Sequence, residues 1–378
     1  MKIGILTLPL HTNYGGIIQA YALQTVLERM GHEVVVFQKD ITPCFKLPLW
    51  KYPLSYLKRL LIKIFRNRHQ EIFVEQRNRQ EYQITHQHTN RFIVDNINVI
   101  SIDKLRNINL NDIDCIVVGS DQIWRPIHVR NLFGTDISEM FLKFAEGWSG
   151  LKIAYAASFG VDFWEYNPSE TAECKRLAPL FKSISVREIS GVKLCSDYLE
   201  VEAEHVLDPT LLLDKIDYID LIEKVNIPKC DGQLFSYILD ETEEKLSYVN
   251  MVANSFKMKP YSLNLASHNS SDPLEKRIAQ PVEKWLRCFY DAEFVITDSF
   301  HGCVFSIIFN KPFVAIGNVE RGLSRFTSLL SLFGLGDRLV PNLNKQCLDN
   351  MNSLVDCSDK LNKMRELSKQ FLINSLKK

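Results

Sequence analysis

Residues 294–317, FVITDSFHGCVFSIIFNKPFVAIG, constrain the fold of this 378-residue chain more than any other stretch. Phe294, Val295 and Ile296 form a short apolar, β-branched run of the kind a buried parallel strand shows. Thr297, Asp298 and Ser299 end it, and His301 and Gly302 follow. The apolar residues 304–309 suit a helix packed on a sheet. Lys311 and Pro312 stop that helix, and residues 313–316 read as the next strand. This order puts His301 where the carboxyl end of a strand meets the amino end of a helix. Open α/β sheets bind ligands in that crevice. The helix end offers an anion unpaired N–H groups and the positive pole of its dipole. Gly302, without a side chain, lets a ligand approach the backbone. Ser299, His301 and Gly302 are therefore candidates for phosphate or acid–base chemistry. A histidine that merely caps a turn is the structural alternative.

The same grammar recurs along the chain. Residues 3–8 read as a strand, and residues 16–30 as a helix in which Ile17, Ile18, Tyr21, Ala22, Val26 and Met30 recur at helical spacing. Gly31 caps that helix, and residues 33–37 form the next strand. Further strands at 115–118, 153–158 and 183–186 complete a first α/β domain. After Pro228 a second series begins, with strands at 234–239, 261–265, 294–297 and 313–316. Between the two series lies VLDPTLLL, residues 206–213, whose Asp-Pro pair is a turn signal. The expected organisation is an N-terminal Rossmann-like domain over 1–205 and a C-terminal one over 206–349. A terminal helix within 350–378 is expected to pack back on the first.

Composition narrows the function. Lys and Arg total 45 and Asp and Glu total 45, so no global charge recruits nucleic acid. Nine cysteines lie scattered without a CxxC pair, which argues against a zinc site or a disulfide frame and suits a reducing cytosol. The first ten residues lack the pattern of a secretion signal, and no apolar run is long enough to span a bilayer. A cytoplasmic protein is expected. Residues 51–68, KYPLSYLKRLLIKIFRNR, stand apart. Leu54, Leu57, Leu61, Ile64 and Phe65 share one face of a helix, while Lys58, Arg59, Lys63 and Arg66 occupy much of the rest. Such a helix can lie on the anionic inner membrane face or pack as a surface helix on its own domain.

Three further strand ends carry candidate residues. Asn13, Tyr14, Gly15 and Gly16 lead from the first strand into a helix, where glycines let backbone N–H groups face a ligand; a tight turn explains them equally. The loop is neither GxGxxG nor a P-loop. After the strand CIVV come Gly119, Ser120, Asp121, Gln122 and Trp124. Asp121 is placed to act as a general base on a hydroxyl or to cap the next helix. Gln122 can bond a sugar and Trp124 can stack on one. Arg187 and Glu188 follow a third strand; Arg187 can hold a carboxylate or phosphate bidentately, or the two can form an internal ion pair. Arg321 and Arg325, beyond the last strand, can add positive charge. Trp164 and Trp285 read as packing residues.

Taken together, MKIGILTLPLHTNYGGIIQAYALQ, VVGSDQIW, YAASFG, SVRE, LDPTLLL, VITDSFHGCVFSIIFNKPFV and SRFTSLL resemble the polysaccharide pyruvyl transferase family, across nearly the whole chain. That family is similar to GT-B glycosyltransferases: two facing Rossmann-like, doubly wound domains with the site in the cleft between them. The resemblance implies a phosphoenolpyruvate donor and an acceptor sugar diol in a polysaccharide or glycan precursor. The product would be a cyclic pyruvate ketal, with phosphate released. Such enzymes decorate exopolysaccharide, capsule or cell-wall glycan. Carried over by motif, His301 and Arg187 contact the donor, with Arg321 a weaker candidate. The donor side falls to the C-terminal domain and the acceptor side to the N-terminal one. No metal and no cofactor beyond the donor are called for. A lipid-linked acceptor would give residues 51–68 a role at the membrane. A nucleotide-sugar glycosyltransferase can use the same cleft, with Asp121 as base and the helix at His301 holding the diphosphate. A glycan-binding member without activity is a further alternative.

Overall fold

The computed structural model describes residues 1–40, 52–66, 72–263, 265–267, 272–317, 322–340, 343, 353–354 and 356–377. Arg321, and Lys51 and residues 67–68 at the margins of the basic segment, lie outside them. Two parallel sheets organise the chain. The first contains β1 (Lys2–Leu6), β2 (Glu33–Lys39), β3 (Val99–Ile102), β4 (Cys115–Val118), β5 (Leu151–Ala157), β6 (Ser183–Val186) and β7 (Glu204–His205). The second contains β8 (Leu234–Tyr237), β9 (Pro260–Ser262), β10 (Phe294–Thr297), β11 (Phe313–Ile316) and β12 (Leu339–Val340). The spatial orders are β3-β2-β1-β4-β5-β6-β7 and β12-β11-β10-β8-β9. β4, β10 and β11 are buried along their whole length, as their unbroken apolar runs require when helices cover both faces.

The order of each sheet reverses once. In the first sheet the reversal lies between β1 and β4, where Ile3 pairs with Val34 on one side and Cys115 on the other. In the second it lies between β8 and β10. β3, β7 and β12 leave no strand signal in the sequence. β7 and β12 are two residues long, and β3 exposes its two middle residues, so none carries a buried apolar run.

The two halves share a continuous apolar core. Tyr14, at the start of the Tyr14–Arg29 helix, stacks on Trp285 with 5.6 Å between ring centroids, and its hydroxyl donates to the Gln280 carbonyl at 3.0 Å. The segment after β7 runs buried through Asp208 and the Pro209–Leu212 turn. The terminal helix, Ser358–Leu376, clamps it. Arg365 donates to the carbonyls of Leu211 and Leu213, both at 2.6 Å, and Ser368 Oγ accepts from Leu207 N–H at 3.0 Å. Phe371 of this helix meets Tyr155 of β5.

Candidate active site

The loops leaving the four switch-point strands face one another across a cavity of about 410 Å³. β1 contributes Asn13, and the segment after β4 contributes Asp121, Gln122, Arg125 and His128. β8 contributes Leu239 and Asp240, and β10 contributes Asp298, Ser299, Phe300 and His301. Arg325 and Phe326, from the Leu323–Phe333 helix, close one wall. Each sheet thus presents its ligand-binding crevice to the other.

His301 occupies the first turn of the Phe300–Ile308 helix, which Ser299 caps by accepting from the Gly302 N–H at 3.4 Å. The imidazole crosses to the N-terminal domain and lies over Gly15, where a Cβ would run into the ring. Gly15 therefore makes room for His301 rather than for a ligand. Nε2 of His301 lies 3.8 Å from Asp208 Oδ2 and makes no hydrogen bond among the described residues. Burial takes the His301 pKa down from 6.5 to about 4, against the pull of Asp208. The unfolded chain then binds a proton between about pH 6.5 and pH 4 that the folded chain refuses. Stability is thus lost as pH falls through this window, by about 3 kcal/mol in full. Urea midpoints at pH 7 and pH 5 should differ less in His301→Gln than in wild type; parallel losses would contradict the burial of a neutral imidazole.

Asp121 is buried, with a positive φ of 66°. Asp tolerates the left-handed region better than most residues, and such conformations cluster where function requires them. Asn13 Nδ2 donates to its Oδ2 at 3.2 Å. Burial alone would raise its pKa, but the charge of Arg187, followed by His301, Arg325 and His128, holds the carboxyl below its usual range. Asp121 is an ionised acceptor on the cavity wall.

Arg187 is more deeply placed than its motif suggests. Nη1 donates to Asp208 Oδ2 at 2.7 Å, Nη2 stands 3.7 Å from Asp121 Oδ1, and the guanidinium lies 4.5 Å from the Phe300 ring centroid. Asp208 also accepts from Ser120 Oγ, Thr210 N–H and Thr210 Oγ1. Burial opposes its ionisation, but Arg187, His301 and the Thr210 hydroxyl take its pKa to about 2. Among the described residues the ion pairs of Arg187 go to Asp208 and Asp121, and Glu188 takes its hydrogen bonds elsewhere. It accepts from Ser158 Oγ and from the N–H groups of Phe159 and Gly160, fixing the turn after β5. Arg125 and Arg325 are cations that line the cavity among the described residues, and the Arg325 guanidinium lies 5.7 Å from the centroid of the Phe300 ring that Arg187 also meets. Burial, then the charge of Arg187, lowers the Arg325 pKa to about 10, so it stays charged at neutral pH.

Other expected ligand contacts take structural roles. A Cβ at Gly302 would strike the Thr297 side chain, so this glycine admits β10 rather than a ligand, and its N–H serves the Ser299 cap. Gly16 N–H donates to Asn13 Oδ1 within the helix cap. Tyr14 packs against Trp285. Trp124 is fully buried, stacked on Phe141, with its indole N–H on the Met140 carbonyl, so no sugar reaches it. Gln122 does line the cavity and accepts from Arg125. Asp208, Arg125 and His128 carry no site signal in the sequence. Asp208 reads there as part of a turn between the two series of strands. Arg125 and His128 flank Pro126, the first residue of the helix that follows β4, and Pro at that position marks a helix start.

Two parallel α/β domains with facing switch points define the GT-B architecture, and solved structures agree. UDP-GlcNAc 2-epimerase from Neisseria meningitidis, bound to UDP-GlcNAc, aligns with a TM-score of 0.50 at 10% identity, over 99% of this chain and 100% of that one. Arabidopsis thaliana UGT89C1, complexed with UDP-L-rhamnose, aligns with a TM-score of 0.51 at 11% identity, over 98% of this chain and 97% of that one. At these identities the likeness concerns the fold alone. No curated protein sequence matches the chain. The profile of the polysaccharide pyruvyl transferase family matches residues 13–320, and the chain belongs to that family.

Proposed function

We propose that this protein transfers the pyruvyl group of phosphoenolpyruvate to a sugar diol of a glycan, forming a cyclic pyruvate ketal and releasing phosphate. The observation that carries the reading is the meeting, at one cavity, of an ionised Asp121 and a buried cation, Arg325, beside a helix amino end. The donor has two anionic groups and the acceptor must lose protons, so the cation and the carboxylate match the two substrates. The helix at Ser299–His301 and Arg325 receive the donor's phosphate and carboxylate. A proton adds to the methylene carbon and leaves the adjacent carbon electrophilic. An acceptor hydroxyl adds there and gives its proton to Asp121. The carbon–oxygen bond to phosphate breaks, phosphate leaves with the electron pair, and a second hydroxyl closes the ketal. Two protons leave the diol; one balances the methyl group and one the phosphate. A bound phosphate near His301 Nε2 raises the imidazole's pKa and lets it supply a proton.

Thermal-shift titration tests the donor. Phosphoenolpyruvate should stabilise the protein increasingly with the logarithm of its concentration, by about 2.7 kcal/mol at ~100 times its dissociation constant, and Arg325→Ala should abolish the effect. Stabilisation by UDP, CMP or GDP, with none by phosphoenolpyruvate, would replace this reading with nucleotide-sugar transfer.

A further inference from the structure

We propose that the Tyr52–Arg66 helix is a docking surface for an anionic lipid bilayer. Leu54, Leu57, Leu61 and Ile64 recur at intervals of three, four and three, which aligns them in one stripe along the helix. A helix packed on its own domain would turn that stripe inward. Here the four side chains are 65%, 53%, 45% and 61% exposed, and Leu60 beside them is exposed as well. Two contacts with described residues come from other positions: Arg59 Nη1 donates to the Ile72 carbonyl at 2.9 Å, and Tyr56 meets Phe73 edge-on at 5.0 Å. The apolar face is thus turned away from the protein.

Charge identifies the occupant. The chain as a whole is neutral, yet the sequence between Asp40 and Glu71 has no acidic residue and carries Lys46, Lys51, Lys58, Arg59, Lys63, Arg66 and Arg68. Lys58 and Lys63 are exposed on the helix that carries the stripe. A second copy of the chain would bring the same positive charge to the contact and be repelled. An anionic bilayer accepts both features at once, with the leucines in the acyl boundary and the lysines among the headgroups. This inference is independent of the identity of the donor.

Flotation of the full-length protein with vesicles tests it. The protein should float with phosphatidylglycerol-containing phosphatidylcholine vesicles, should stay below with pure phosphatidylcholine, and should dissociate at high salt. Lys58→Glu with Lys63→Glu should weaken partitioning by about tenfold or more. Leu57→Gln, Leu61→Gln and Ile64→Gln together should abolish it. Both variants should unfold thermally like wild type, because the altered side chains are exposed. Wild type that does not float, or variants that float equally, would overturn the proposal. Self-association in the absence of vesicles, lost in the triple variant, would assign the stripe to a second copy instead.

Discussion

Asp121→Asn is expected to lower turnover in ketal formation by about 10²- to 10⁴-fold, the range for loss of a positioned general base, while donor binding changes little. The substitution preserves shape. Asparagine also tolerates the positive φ of this position, and Arg187 keeps its 2.7 Å bond to Asp208. What disappears is the ionised oxygen facing the cavity. Steady-state rates alongside donor titration separate the two effects. Near-wild-type turnover would remove Asp121 from the chemistry. Weakened donor binding at unchanged turnover would make it a binding residue.

Arg187→Ala should destabilise the fold by about 3–5 kcal/mol, because it strands a buried charge. Asp208 is fully buried and Asp121 nearly so, and Arg187 lies between them. Urea unfolding measures the loss. Adding Asp208→Asn should recover part of it, since that removes one of the stranded charges. A single variant as stable as wild type would show that the pair is not buried in solution. The consequence for assays is direct: lost activity in Arg187→Ala would not establish donor contact. Arg325→Ala is the more informative substitution, since Arg325 lines the cavity itself.

The fold was largely legible because its decisive strands are buried on both faces and leave unbroken apolar runs. Phe294–Thr297 and Cys115–Val118 show this. Edge strands such as Glu204–His205 leave no such trace. At the site, the polar residues at strand ends mark crevices that open on one cavity, and Asp121, Ser299, His301, Gln122 and Asn13 line it. Backbone position does not reveal which way a side chain turns, however. Trp124 turned into the core, and Gly15 and Gly302 proved to accommodate His301 and Thr297. Asp208 was invisible because its importance comes from the partners it gathers from distant segments: Ser120, Arg187 and His301.

Pyruvyl transfer is tested most directly by a crystal structure of the protein with phosphoenolpyruvate, collected alongside one with UDP at equal concentration. The donor should lie in the interdomain cavity, its phosphate at the amino end of the Phe300–Ile308 helix, Arg325 on one of its anionic groups, and its reactive carbon facing Asp121. A UDP molecule ordered in that cavity, with phosphoenolpyruvate absent from it, would contradict pyruvyl transfer from phosphoenolpyruvate.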